Sequence, residues 1–252
     1  MLALIDIGNT TITIGLSLDR QKIDNVLKIN TIKTISADEY ALTLKEMLKG
    51  VTEVIISSVV PELNGVFKEF LQDRMNIIPM FMGTGIKTGI KIMSDNPKEV
   101  GTDIIANLVA ATDKYGSSCL VIDLGTATTF SYVEDMAFKG AIIAPGLTTS
   151  KNALISRTSL LPQVELELPT KLIGTNSTDS IKSGLIFGHA GMIDGIVRRI
   201  KNQIGSENIP VVITGGHAKL IYPHCSEKMD IDETLIIKGL LLVYKRNISK
   251  SR

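Results

Sequence analysis

Apolar and polar positions alternate along the opening stretch LALIDIGNTTITIGL (residues 2–16), on both sides of Gly8-Asn9-Thr10. A period of two interrupted by a small, polar turn predicts two strands joined as a hairpin. A third strand is expected over 26–32. Ser36-Ala37-Asp38-Glu39 is a capping box, and Tyr40, Leu44, Met47 and Leu48 then fall on one helical face that runs to Gly50. The run VTEVIISSVV (51–60) is too continuously apolar for an exposed strand and predicts a buried one. Pro61 opens a second helix with Val66, Phe67, Phe70 and Leu71 as its buried stripe. A strand over 76–82 and a helix over 103–114 complete the first half.

The second half begins as the first did. CLVIDLGTATTFSY (119–132) has an apolar strand, an aspartate (Asp123), a glycine two residues on and a threonine-rich turn. Strands are expected over 119–123, 126–134 and 138–144, then a turn at Pro145-Gly146 and a helix over 147–156. Residues 157–170 read as irregular. A long helical pattern over 179–204 is interrupted by Gly184, Gly188 and Gly191. A strand over 210–214 runs into Gly215-Gly216-His217, and a helix over 233–247 closes the chain. Recurrence of one pattern at nearly half the chain length predicts two like lobes. With the join near 115–118, they are residues 1–115 and 116–252.

Composition narrows the chemistry. The 252 residues suffice for a sizeable core. Lys and Arg number 27 against 26 Asp and Glu, with no basic tract, so a nucleic-acid partner is not expected. No apolar run approaches the roughly 20 residues that span a bilayer, so no membrane partner is expected either. No secretory leader is visible, and Cys119 and Cys225 form no ligand-like cluster; both fit reduced thiols of a cytoplasmic protein. Small anionic ligands held by local geometry remain. Asp6, at the end of the first strand, can hold a hydrated Mg²⁺, while turn N–H groups and the Thr10 and Thr11 hydroxyls can meet phosphate oxygens. Gly215-Gly216 after a strand suits close approach of a nucleoside. His189, His217 and His224 lack metal-ligand spacing, and His217 reads as a packing residue beside the glycine turn.

Three strands followed by alternating helices and strands, given twice, is similar to the acetate-kinase, sugar-kinase, heat-shock-ATPase and actin superfamily. That likeness implies an α/β fold of two RNase H-like βββαβαβα lobes with ATP in a cleft between them. Within it the chain resembles the type III pantothenate kinase (Bvg accessory factor) family over essentially its whole length. The resemblance rests on Asp6-Ile7-Gly8-Asn9-Thr10, Ser57-Ser58-Val59-Val60-Pro61 and Asp95-Asn96-Pro97-Lys98-Glu99-Val100-Gly101. It continues through Asp123-Leu124-Gly125-Thr126-Ala127-Thr128-Thr129-Phe130, Ala144-Pro145-Gly146, Leu161-Pro162, Ser183-Gly184 and Thr214-Gly215-Gly216.

The resemblance implies transfer of the γ-phosphoryl of ATP to the primary hydroxyl of pantothenate, the first step toward coenzyme A. By position, it implies an ATP phosphate loop of Asp6, Ile7, Gly8, Asn9, Thr10, Thr11, Ile12 and Thr13, with Asp6 near Mg²⁺. Thr126, Gly215 and Gly216 become further ATP contacts, and Asp123 the ligand of an activating K⁺ or NH₄⁺. Asp103 matches the proton-accepting aspartate, with Ser94, Gly101, Thr102, Ile104 and Ser177 around the acceptor. On its residue type alone, Asp103 at a helix start reads as an N-cap, and both roles can coexist. The helix dipole there is expected to keep it ionised.

Two departures fall on the acceptor side. Ile104 replaces the arginine of the family's Gly-Ala-Asp-Arg, and Ser94 stands where the family has a tyrosine. Losing a guanidinium contact to a hydroxy acid is worth roughly 1.5–3 kcal/mol, about one to two decades of affinity. Lys98, Lys151 and Arg157 are the cations available to compensate. Ser131 also replaces an acidic residue common after the second loop, which weakens ion binding. Alternatives are therefore a kinase of another small hydroxy acid or alcohol, or a catalytically poor nucleotide-binding regulator. The resemblance further implies a homodimer whose acceptor site lies at the subunit interface, for which Met192, Ile193, Ile196 and Val197 offer an apolar seam.

Overall fold

The computed structural model describes residues 1–248. They divide into two compact units, one of residues 1–114 with 234–248 and one of residues 115–233. The closing helix is therefore grouped with the first unit, not with the second as the expected 116–252 lobe had it.

In the first unit the order is β1 (Leu2–Ile7), β2 (Thr11–Ser17), β3 (Asn25–Asn30), α1 (Ala37–Leu44), β4 (Glu53–Ser58), α2 (Pro61–Glu69), β5 (Met80–Phe81), β6 (Lys91–Ile92) and α3 (Thr102–Tyr115). The sheet order is β3-β2-β1-β4-β5, antiparallel across the hairpins and parallel from β1 to β4 and from β4 to β5. Ala3, Ile5 and Ile7 face a core closed by Tyr40, Leu44, Phe67, Phe70 and Leu71, as the alternation requires. The capping box forms: Ser36 N–H donates to Glu39 at 2.8 Å while Glu39 N–H donates back to the Ser36 hydroxyl. α1 stops at Leu44, sooner than expected, and Met47 lies beyond it, exposed. α2 runs on through a wider π turn over Phe70–Arg74, which seats Phe70 and Leu71 in the core. The strand expected over 76–82 shrinks to two residues.

The second unit repeats the arrangement with β7 (Cys119–Leu124), β8 (Ala127–Glu134), β9 (Ala137–Pro145), α4 (Leu147–Ser156), α5 (Ser177–Ile204), β10 (Val211–Thr214), α6 (Ala218–Ile221) and β11 (Asp230–Ile231). Its strands lie in the order β9-β8-β7-β10-β11, the same third-second-first-fourth-fifth sequence as before. α5 is one unbroken helix of 28 residues despite its glycines, closed by Gly205 in the left-handed conformation. Packing of Ile186, Ile193 and Val197 against β7 and β10 outweighs the roughly 1 kcal/mol that each helical glycine costs. The same packing removes Ile193 and Val197 from the expected dimer seam, because both are fully buried in their own unit.

α7 (Leu235–Ile248) lies on the β1 face opposite α1 and α2. Gly15 admits it: a Cβ there would strike the Ile237 side chain. Among the described residues no helix is long and apolar enough to cross a membrane.

Candidate active site

The first unit gathers its polar residues where β1 and β4 end, the edge at which open α/β sheets bind ligands. Asp6 is half-buried near the end of β1, opposite Thr13 on β2 and Ser57 on β4. Residues in register share one face, so Asp6, Thr13 and Ser57 stand side by side. The hairpin turn is closed by the Gly8 N–H donating to the Thr11 carbonyl at 3.0 Å. That donor is thus spent inside the turn instead of facing a phosphate, contrary to the expectation that the turn's N–H groups point outward. Ile7 and Ile12 are fully buried, so neither side chain can touch a ligand, although both were expected in the ATP loop. Asn9 and Thr10 are exposed and Thr11 is half-buried.

A cation missing from the expected set lies beside this turn. Lys33 Nζ donates to Asn9 Oδ1 at 2.9 Å, and the Thr31 hydroxyl donates to the Gly8 carbonyl at 2.6 Å. The register of β2 on β3, with Thr11 opposite Asn30, returns residues 31–33 to the turn. Counting along the three strands could have found this, since antiparallel strands of equal length bring their ends together.

α3 begins at Thr102, so Asp103 sits within its first turn and is not the N-cap. The Asp103 carboxylate accepts the Ile104 N–H at 2.8 Å and folds over Gly101, where any Cβ would overlap Oδ1. Burial pushes the Asp103 carboxyl above the usual aspartate range, against the Ile104 and Asp103 N–H groups, which pull it down. Desolvation thus outweighs the helix terminus that was expected to keep it ionised. The Thr102 hydroxyl turns away from Asp103 to the end of β4, lying 3.0 Å from the Ser57 hydroxyl and 3.1 Å from the Ser58 nitrogen. Ile104 is half-buried, and the Ser94 hydroxyl is buried with no hydrogen-bond partner among the described residues.

The second unit builds a similar end. Asp123 on β7 faces Thr129 on β8 and Thr214 on β10, as Asp6 faces Thr13 and Ser57. Its turn is one residue shorter, closed by the Gly125 N–H donating to the Ala127 carbonyl at 3.1 Å. The exposed Thr126 is held through its carbonyl, which accepts the Gly146 N–H at 3.1 Å and the Thr149 hydroxyl at 2.7 Å. Gly215, at φ +95°, packs so closely that a Cβ would lie 2.5 Å from Asp123 Oδ1 and from the Leu124 nitrogen. Gly216 is exposed and has open space around its Cα. His217 lies 3.0 Å from the Thr148 hydroxyl through Nε2, and burial with the nearby Lys151 lowers its pKa. His189 is buried and 2.8 Å from the Thr128 hydroxyl.

Ser177 opens α5 and lines a cavity of about 800 Å³ walled by Leu154, Leu161 and Ile181. Asn176 caps the helix by accepting the Asp179 N–H at 2.8 Å. Asp179 in turn holds the preceding loop, accepting the Thr170 hydroxyl at 2.7 Å, and these bonds lower its pKa. Among the described residues no three His, Cys, Asp or Glu side chains cluster as a metal site. A Mg²⁺ held by one carboxylate and nucleotide phosphates needs no such cluster, so Asp6 alone fits that group.

Two sheets that share one five-strand order, each ending its first strand in an aspartate beside a threonine turn, define a two-unit α/β fold, the fold of sugar kinases and actin-like ATPases. Solved structures share the fold over the whole chain. A Baf family protein from Campylobacter jejuni matches with a TM-score of 0.60 at 20% identity, covering 98% of this chain and 99% of that one. The inorganic polyphosphate/ATP-glucomannokinase from an Arthrobacter species matches at 0.51 and 16% identity, covering 98% and 100%. The family model for type III pantothenate kinase matches residues 2–199. A type III pantothenate kinase from Citrifermentans bemidjiense is 40% identical over 255 aligned positions, spanning 98% of this chain and 100% of that protein. The chain belongs to the type III pantothenate kinase family.

Proposed function

We propose that this chain transfers the γ-phosphoryl of ATP to the primary hydroxyl of pantothenate, with Asp103 receiving the hydroxyl proton. The observation that carries the reading is the half-buried carboxylate of Asp103 at the β4 end of the first sheet, in a chain alike along its full length to a pantothenate kinase. Phosphoryl transfer needs orientation and charge neutralisation more than covalent help. A carboxylate within reach of the acceptor hydroxyl orients it and takes its proton late in the reaction. Burial helps by bringing the Asp103 pKa closer to the working pH.

On this reading the exposed Asn9 and Thr10 turn, Thr11, Thr13 and Lys33 receive ATP phosphates, with Asp6 facing Mg²⁺, which supplies charge neutralisation when bound. Thr126 and Gly216 are further nucleotide contacts. Gly215 serves by keeping Asp123 and Leu124 in place. Asp123, flanked by Thr129 and Thr214, offers oxygen donors suited to a monovalent cation, K⁺ or NH₄⁺. Ser177 and the cavity beside it take part of the acceptor. Apolar side chains stand exposed in the segments beside that cavity, Leu160 at 93% and Ile173 at 82%. They support a homodimer in which a second copy covers the acceptor site.

The test is ADP release with pantothenate, Mg²⁺ and K⁺, run beside a panel of small hydroxy acids and alcohols. Turnover confined to pantothenate supports the reading. ADP release with another acceptor only, as the Ile104 substitution would permit, replaces pantothenate but keeps the chemistry. Nucleotide binding without acceptor-dependent ADP release ends the kinase reading.

A further inference from the structure

The Thr102 hydroxyl has one hydrogen and two acceptor positions. Its donor meets the Ser58 carbonyl at 3.2 Å, while the Ser58 N–H donates to it at 3.1 Å. With its hydrogen so committed, the contact of 3.0 Å to Ser57 has the Ser57 hydroxyl as donor. All three positions are then filled from the end of β4, and none is left for a ligand. Ser57 is fully buried, so this pairing is held away from water. The same residue lies opposite Asp6 in the parallel register of β1 on β4. Thr102 is also the first residue of α3 and the chain neighbour of Asp103.

We infer that Thr102 is a positioning residue: its hydroxyl ties the first turn of α3 to the end of β4 and so sets where the Asp103 carboxylate stands relative to Asp6. It does not contact the substrate, as the resemblance had implied. A shift of about 1 Å at a reacting group can cost up to ~10²-fold in rate, so a tie of this kind governs turnover and not nucleotide affinity. The inference rests on Asp103 acting as the proton acceptor.

Steady-state kinetics of Thr102→Val, Thr102→Ser, Ser57→Ala and Asp103→Asn, each below its melting temperature, test it. Thr102→Val keeps the shape and loses the hydroxyl; its kcat is expected to fall about tenfold, with KM for ATP within about twofold of wild type. Thr102→Ser restores the hydroxyl and recovers most of kcat. Ser57→Ala removes one tie from the β4 side, leaves α3 untouched, and lowers kcat in the same direction. If Thr102→Val does not fold, the serine and Ser57 variants carry the comparison. The inference fails if Thr102→Val or Ser57→Ala keeps wild-type kcat while Asp103→Asn is inactive. It fails too if Thr102→Ser loses as much as Thr102→Val, because packing of the methyl group would then be the cause. Full activity in Asp103→Asn overturns the proton-acceptor reading itself, and this inference with it.

Discussion

Replacing Gly215 by alanine puts a methyl group where the chain already lies. The added Cβ would come within 2.5 Å of Asp123 Oδ1 and the Leu124 nitrogen, and 2.6 Å of the Leu124 carbonyl carbon. Two of those atoms are backbone and cannot swing away. The left-handed backbone at φ +95° adds about 1–2 kcal/mol for a residue with a side chain. Overpacking contributes typically about 1–3 kcal/mol, giving a loss of about 2–5 kcal/mol. In a chain of this size each kcal/mol moves Tm by roughly 2–4 °C, so Gly215→Ala should melt about 4–20 °C below wild type. Gly216→Ala is the control, because a Cβ there meets nothing within 4 Å. Thermal unfolding followed by circular dichroism without nucleotide compares the three proteins, since a bound ligand would mask the difference. The reasoning is refuted if Gly215→Ala melts with wild type, or if Gly216→Ala falls as far.

Asp103→Asn should lower kcat by about 10²–10⁴-fold, the usual contribution of a positioned base, as read by ADP release. It should also melt higher than wild type at neutral pH. The carboxyl is raised in the fold, so the folded chain holds its proton where the unfolded chain has lost it, and ionisation costs stability above the folded pKa. The gap should close as pH falls to about 4, near the unfolded value; a gap that does not change with pH contradicts the sign. Gly239→Ala would press against the Ala106 backbone of α3, so its Tm should drop, whereas Gly188→Ala, with open space on α5, should gain about 0.5–1 kcal/mol of helix propensity. Equal melting of these two variants would mean that α7 does not pack as described. Ser177→Ala should raise KM for pantothenate about 10- to 100-fold and leave KM for ATP unchanged, from loss of a hydrogen bond to a charged group. An unchanged pantothenate KM removes Ser177 from the acceptor site.

Both hairpins and their aspartates were legible because alternation reports a half-buried strand directly, and because the pattern occurs twice; the order of the strands and the two-residue β11 were not, since pairing between distant strands leaves no local mark. The Ser36 capping box was equally local. What escaped depends on distant parts of the chain. Lys33 reaches Asn9 only through the pairing of β2 with β3, and α7 returns to the first unit across the whole second half. Gly215 looked like a clearance for nucleoside, but its left-handed backbone and the backbone behind it give it a structural task. The glycines of α5 suggested interruption because propensity is local, while the core that overrides it is tertiary. For Asp103 the helix terminus was visible in the sequence, and the burial that outweighs it was not.

The most direct measurement of the central claim is the mass-spectrometric identity of the product formed from ATP and pantothenate. The account predicts phosphopantothenate in step with ADP for the wild-type chain and its loss in Asp103→Asn. Nucleotide bound by the wild-type chain with pantothenate left unmodified, or product formed as fast by Asp103→Asn, would contradict it.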